Sequence, residues 1–214
     1  MASGMKVSRG WSFLYNATLK MENKHFRGRL PLIYCLKRLR QHKIDKTKDF
    51  TNLPLVRTEI EGRSLVVPLA HNLAFYKEKF AHYDKHIISI CQYVQSRLGA
   101  LAFIDVGANV GDTVINLGIA DHAQYLCIEG DAFYYKLLRN NLGNYSYQYH
   151  AINCFLTDQT SQDHYYQVEH AVSSAKLMYT DKPVDSLQNG NPGGGCYSES
   201  WMTSWKKRNL CRTC

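Results

Sequence analysis

"AFIDVGANVGDT", residues 102–113, carries an apolar run into a glycine-containing turn with a carboxylate on either side of it. Gly107 and Gly111 give the chain backbone angles that other residues resist. Asn109, between them, tolerates such angles and offers an amide for hydrogen bonding. A strand that ends in this way lets main chain approach a ligand that side chains would otherwise keep out. "LAFIDV" (101–106) supplies the strand, and a helix is expected from about Thr113 to Ile119. The spacing G-x-N-x-G differs from the G-x-G-x-x-G of dinucleotide sites, so the loop alone is equally a plain structural turn.

Downstream, "YLCIE" (125–129) reads as a second strand ending on Glu129. A carboxylate at that position can accept both hydroxyls of a ribose. Its other use, capping the next helix, already falls to Asp131, which precedes "AFYYKLLRNNL". A third strand lies within "YSYQYHAINCF" (145–155). Strands alternating with helices predict an α/β fold with a parallel sheet, right-handed crossovers and a ligand crevice at the carboxyl ends of the strands. Loop and Glu129 together point to an adenosine-containing ligand. "DHYYQVEH" (163–170) and "AKLMYT" (175–180) are strand-like without a following helix. Residues 188–214 change character, with a glycine-proline cluster, two tryptophans and no periodicity.

Upstream, "LVRTEIEGRSLVVPLA" (55–70) predicts two short strands around a turn at Glu61-Gly62. "YDKHIISICQYVQSRL" (83–98) places Tyr83, Ile87, Ile90, Cys91, Val94 and Leu98 on one helical stripe, expected to pack against a sheet, with Gly99 as the stop. The net charge of +8 is concentrated at one end: residues 1–50 hold 12 Lys/Arg against 3 Asp/Glu, whereas residues 51–214 hold 14 against 15. Within the basic part, "PLIYCLKRLRQHKI" (31–44) sets Leu32, Leu36 and Leu39 at helical spacing, with Lys37, Arg38, Arg40 and Lys43 on the other side. Such a helix can lie on an anionic membrane or nucleic acid; the simpler expectation is a helix packed on the domain with a solvated cationic face. The chain thus divides into a basic arm (1–52), a hairpin-and-helix lead-in (53–100), a ligand-binding region (101–187) and an atypical tail (188–214).

Composition narrows the function classes. With 45% hydrophobic and 21% charged residues the chain is globular in type. It has neither a membrane-spanning apolar run nor a secretory h-region, and its seven cysteines are expected to be reduced thiols in the cytoplasm. Cys211 and Cys214 form a C-x-x-C, but no second pair completes a zinc site, so no metal is expected. Asp163-His164 and Glu169-His170 read as solvated strand edges. Tyrosines between 145 and 166 suggest single-stranded nucleic acid, but the near-neutral charge there argues against it.

Taken together, "FIDVGANVGDT", "CIEGD" and "KLLRNNL" resemble the FkbM-type S-adenosylmethionine-dependent methyltransferases. The lead-in "VVPLAHNLAFYKEKFAHYDKHI", "NCFLTD" (153–158) and "PVDSL" (183–187) are similar to other parts of that family, so the resemblance covers roughly residues 55 to 187. It implies a Rossmann-like doubly wound sheet of the class I methyltransferase type, with S-adenosylmethionine as cofactor. By resemblance, Gly107, Ala108, Asn109 and Gly111 cradle the methionyl end, Asp105 braces the loop, and Asp112 and Thr113 start the next helix beside it. Glu129 then binds the ribose, and Asn153 and Cys154 lie near the adenine. The implied acceptor is a small-molecule or glycan hydroxyl, as on sugars or natural products. Catalysis would rest mainly on proximity and orientation, and no catalytic residue is assigned. Beyond Leu187 nothing resembles the family's next strand. A truncated or frameshifted copy is therefore expected, with little turnover, poor solubility and self-association through an exposed sheet edge. A non-catalytic cofactor- or partner-binding domain is the competing expectation.

Overall fold

A computed structural model of the chain describes residues 5–23, 30–47, 50–80, 82–156, 165–170 and 175–180. Its elements in chain order begin with α1 (Arg9–Asn23), α2 (Leu30–Asp45) and a 3₁₀ turn (Phe50–Asn52). The hairpin β1 (Leu55–Ile60) and β2 (Arg63–Pro68) follows, then α3 (Leu73–Lys79) and α4 (Lys85–Leu98). The α/β part comprises β3 (Leu101–Val106), α5 (Asp112–Leu117), β4 (Ala123–Ile128), α6 (Ala132–Leu142) and β5 (Gln148–Ile152). A second hairpin, β6 (Tyr165–His170) and β7 (Ala175–Thr180), completes the described elements.

The strands β3, β4 and β5 form a three-stranded parallel sheet in that order, with Asp105 opposite Cys127 and Cys127 opposite Ala151. The central strand β4 is buried on both faces, as its near-continuous apolar run requires. One face packs Leu101, Ala123, Tyr125 and Cys127 into the main core beside Val114, Ile115, Leu137 and Leu138 of α5 and α6. On the other face Leu126 and Ile128 gather with Cys154 in a smaller cluster. The strand β3 pairs only with β4 among the described residues, and on its outward face Ile104 is 46% and Val106 59% exposed.

The first hairpin turns at Glu61 (φ 49°) and Gly62 (φ 73°), consecutive left-handed residues that suit the twist of a two-residue loop. Along β1 the burial alternates strictly: Val56, Thr58 and Ile60 point inward. Helix α1 begins after Ser8, whose Oγ accepts the Trp11 N–H at 3.4 Å. It buries Tyr15, Thr18 and Leu19 at i, i+3 and i+4 spacing, and its Asn16 donates to the Arg57 carbonyl on β1 at 2.8 Å.

Several local expectations change. Helix α5 runs over 112–117 and not to Ile119, because Gly118 (φ 65°) ends it in the left-handed conformation. The buried or half-buried face of α4 is Ile87, Ile88, Cys91 and Val94, while Ile90 and Leu98, read as part of the packing stripe, are 60% and 76% exposed. Along α2, Leu39 is exposed, and the inward row is Leu36, Arg40, Lys43 and Ile44. Two of the cations read as solvated, Arg40 and Lys43, are therefore half-buried on the inward side. Asp163-His164, the stretch 183–187 and the tail 188–214, including Cys211 and Cys214, lie outside the described residues. No described helix is long and apolar enough to cross a membrane.

Candidate site at the carboxyl ends of the parallel strands

The loop leaving β3 alternates left-handed residues: Gly107 (φ 77°), Asn109 (φ 47°) and Gly111 (φ 81°). Ala108 and Val110 between them are buried and anchor the turn from below. The Gly107 and Ala108 N–H groups both donate to the Ile128 carbonyl, at 2.8 and 3.0 Å, tying the loop to the end of β4. The two glycines serve different needs. A β-carbon at Gly107 would meet nothing within 4 Å, so glycine there answers only to the backbone angle, and the main chain stays open to approach. At Gly111 a β-carbon would press on Leu142 at 3.1 Å.

Glu129 follows β4 and is 7% exposed. Its Oε2 accepts the Asn109 N–H and its Oε1 the Asp131 N–H, each at 2.8 Å. Burial raises its pKa, and these two donors pull it back. Asp131 caps α6, accepting from Phe133 and Tyr134 N–H at 2.9 and 3.0 Å, which leaves Glu129 free of that task. Asn153 donates to the carbonyls of Glu129 and Gly130 at 2.8 and 3.0 Å, fixing the turn that presents the carboxylate. Across that turn the Phe155 ring occupies the space a β-carbon on Gly130 would need. Cys154 is buried against the other face of β4.

Beside the loop lies a charged cluster. Thr113 hydrogen-bonds the Asp105 carboxyl, whose pKa is nevertheless raised, chiefly by burial. The Oδ2 of Asp105 is buried without a hydrogen-bond partner among the described residues. Half-buried Asp112 is pushed up to about 7 by burial and by the Asp105 charge. Lys77 of α3, its side chain only 10% exposed, stands 3.7 Å from Asp84 and also attracts Asp112; burial lowers its pKa. The carboxyl groups of Asp84, Asp105 and Asp112 outnumber the Lys77 ammonium, and the raised pKa of Asp105 and of Asp112 marks a place short of positive charge, which favours a cationic ligand. Tyr76 and Tyr83 stack at 6.2 Å beside Lys77 with their rings partly exposed.

Loop residues 105–113 and Glu129 thus form one hydrogen-bonded unit, with Asn153, just past β5, supporting it. Two supporting residues are absent from the sequence reading. Asn141 of α6 is fully buried: its Oδ1 accepts the Val66 N–H at 2.8 Å, and its Nδ2 donates to the Val66 and Val110 carbonyls at 2.9 Å each. The signal was present, because Asn141 falls in the apolar row Tyr134, Leu137, Leu138, Leu142, where a polar residue needs a partner. His71, 5% exposed, places Nε2 3.2 Å from the Asn109 Oδ1. No periodicity marks it out. Among the described residues no group of three or more His, Cys, Asp or Glu is arranged to hold a metal ion. No family model, curated protein or solved structure matches the chain.

Proposed function

We propose that the chain binds S-adenosylmethionine at the carboxyl ends of β3 and β4 and acts as a methyltransferase toward a hydroxyl oxygen of a sugar or natural product. The observation that carries this reading is Glu129, a buried carboxylate hydrogen-bonded to the glycine loop of the preceding strand. Each of its oxygens accepts one N–H, so a lone pair on each remains for the two ribose hydroxyls. The unpartnered Asp105 Oδ2 and the excess of carboxylates around Lys77 suit the ammonium and sulfonium of the methionyl end. Gly107 leaves main chain open beside them. The residues present fit the cofactor.

In this reading Glu129 holds the ribose, Gly107 to Gly111 hold the methionyl end, and Asn153 keeps the 129–130 turn in place. When bound, the cofactor supplies an electrophilic methyl, and the protein's part is to fix its orientation toward the acceptor oxygen. A second reading, a cofactor- or partner-binding domain without turnover, is favoured by the unpaired outer edge of β3 among the described residues.

Calorimetric titration with S-adenosylhomocysteine tests the reading. Glu129→Ala is expected to lose about 1.5–3 kcal/mol of binding free energy, the worth of a charge-assisted hydrogen bond, or roughly a ten- to hundredfold weaker Kd. Equal affinities would overturn it.

A further inference from the structure

We propose that His71 is a positioning residue of the cofactor loop, and that α1 and α2 hold it in place, so that the basic N-terminal segment belongs to the binding machinery. The proposal rests on the reading of residues 107–111 and Glu129 as a cofactor site and adds to it a support from outside the parallel sheet.

His71 sits in the short connection between β2 and α3. Its Nδ1 accepts the Leu73 N–H at 3.4 Å, which assigns the ring proton to Nε2, and Nε2–H then donates to the Asn109 Oδ1 at 3.2 Å. Asn109 is thus gripped from two sides: its side chain by His71, its main-chain N–H by Glu129. This matters because Asn109 is the one non-glycine of the loop held at positive φ, a conformation that needs outside support. Burial drives the His71 pKa down to about 4, so the ring remains a neutral donor at physiological pH.

The histidine is held in turn by the N-terminal helices. The Tyr15 hydroxyl of α1 donates to the His71 carbonyl at 2.6 Å. Arg40 of α2 donates through Nε to the Leu69 carbonyl at 3.0 Å and through Nη2 to the Asn72 Oδ1 at 3.1 Å. Its guanidinium lies over the Phe75 ring at 4.4 Å and the Tyr15 ring at 5.2 Å, which fixes the direction of both donors. The chain of contacts runs from α1 and α2, through the main chain of 69–72, to the His71 ring and Asn109. A residue that only filled the core would not need its ring proton aimed at the loop.

The test uses the full chain and its His71→Leu, His71→Gln and Arg40→Met variants. Two quantities are measured: amide hydrogen exchange at Asn109 and Gly111 relative to Cys127 in β4, and calorimetric affinity for S-adenosylhomocysteine. His71→Leu is expected to speed Asn109 exchange at least tenfold relative to Cys127 and to weaken binding about tenfold. His71→Gln, which retains a donor, restores most of both. Arg40→Met gives a smaller effect of the same sign. If His71→Leu does not fold, Asn109→Gly, which keeps the turn and removes the acceptor, carries the same expectation. Asn109 exchange in His71→Leu that matches the wild type, when the wild type binds the ligand, overturns the role of His71. A wild type that does not bind, while Asn109 exchange still responds to His71→Leu, overturns the cofactor reading instead, and with it the part of His71 in binding.

Discussion

The two sides of β3 are built differently. At its carboxyl end the chain is held almost atom by atom: two loop N–H groups donate to the Ile128 carbonyl, the Asn109 N–H donates to Glu129, and Asn141 holds the Val110 carbonyl. Along its outer edge β3 has no strand partner among the described residues, and Ile104 and Val106 meet solvent. Among the described residues the loop draws its support from the end of β4, from α6 and from the 69–72 connection, and none from the open side. The proposed ligand binding is therefore expected to be separable from pairing along the outer edge of β3, and the two sides of β3 are expected to respond differently to mutation.

The largest effect is expected on the supported side. Asn141→Leu leaves the Val66 N–H and two carbonyls buried without partners. At roughly 1–3 kcal/mol for each buried group, the loss is about 3 kcal/mol or more. Urea unfolding reads it directly, and a loss under 1 kcal/mol would show that the loop does not depend on α6.

Next in size is a pH effect from His71, which faces Asn109 and lies within the field of Arg40. Its native pKa of about 4 is below its ordinary value of 6.5, so the unfolded chain takes up the proton first. Its contribution is complete above pH 6.5 and is lost as pH falls toward 4, about 3 kcal/mol in all. Asp112, pushed up to about 7, acts in the opposite direction, stabilising at low pH and losing that contribution as pH rises from about 4 to 7. The prediction therefore concerns the difference between wild type and His71→Gln, in which the Asp112 contribution cancels. Urea midpoints from pH 4 to 7.5 should show wild type losing stability to acid more steeply than the variant. Parallel curves would mean that His71 is not held neutral.

The smallest effect is expected on the open side. Ile104→Lys should change unfolding free energy by less than about 0.5 kcal/mol and reduce self-association in sedimentation velocity. A loss above 2 kcal/mol would mean that this face is covered, and the contrast between the two sides of β3 would fail.

How much of this was legible depends on whether a signal was local. The strand–loop–helix unit at 101–117, the Asp131 cap and the turn at Glu61-Gly62 are written in consecutive residues, and the structure has all three. The neighbour relation of β3 and β4, and hence the meeting of Glu129 with Asn109, followed from the parallel α/β pattern. What periodicity could not tell was which way an ambiguous helix turns. In α4 and α2 apolar residues occur on more than one side, and tertiary packing selected Ile87, Ile88 and Cys91 over Ile90, and Arg40 over Leu39. Arg40 was unreadable for a further reason: its partners are main-chain carbonyls and aromatic faces, which leave no mark of charge in the sequence. His71 was missed because a lone histidine in an apolar stretch is indistinguishable from a core residue until its partner is known.

The central claim is that the carboxyl ends of β3 and β4 bind S-adenosylmethionine through the loop and Glu129. Backbone amide NMR during titration with S-adenosylhomocysteine tests it most directly, because it reports where binding occurs as well as whether it does. The predicted result is saturable shifts at Gly107 to Thr113, Glu129 to Asp131 and Asn153, with Ala102, Ile104 and the turn at Glu61-Gly62 unmoved. No shifts at millimolar ligand, or shifts confined to residues outside these three stretches, would contradict it.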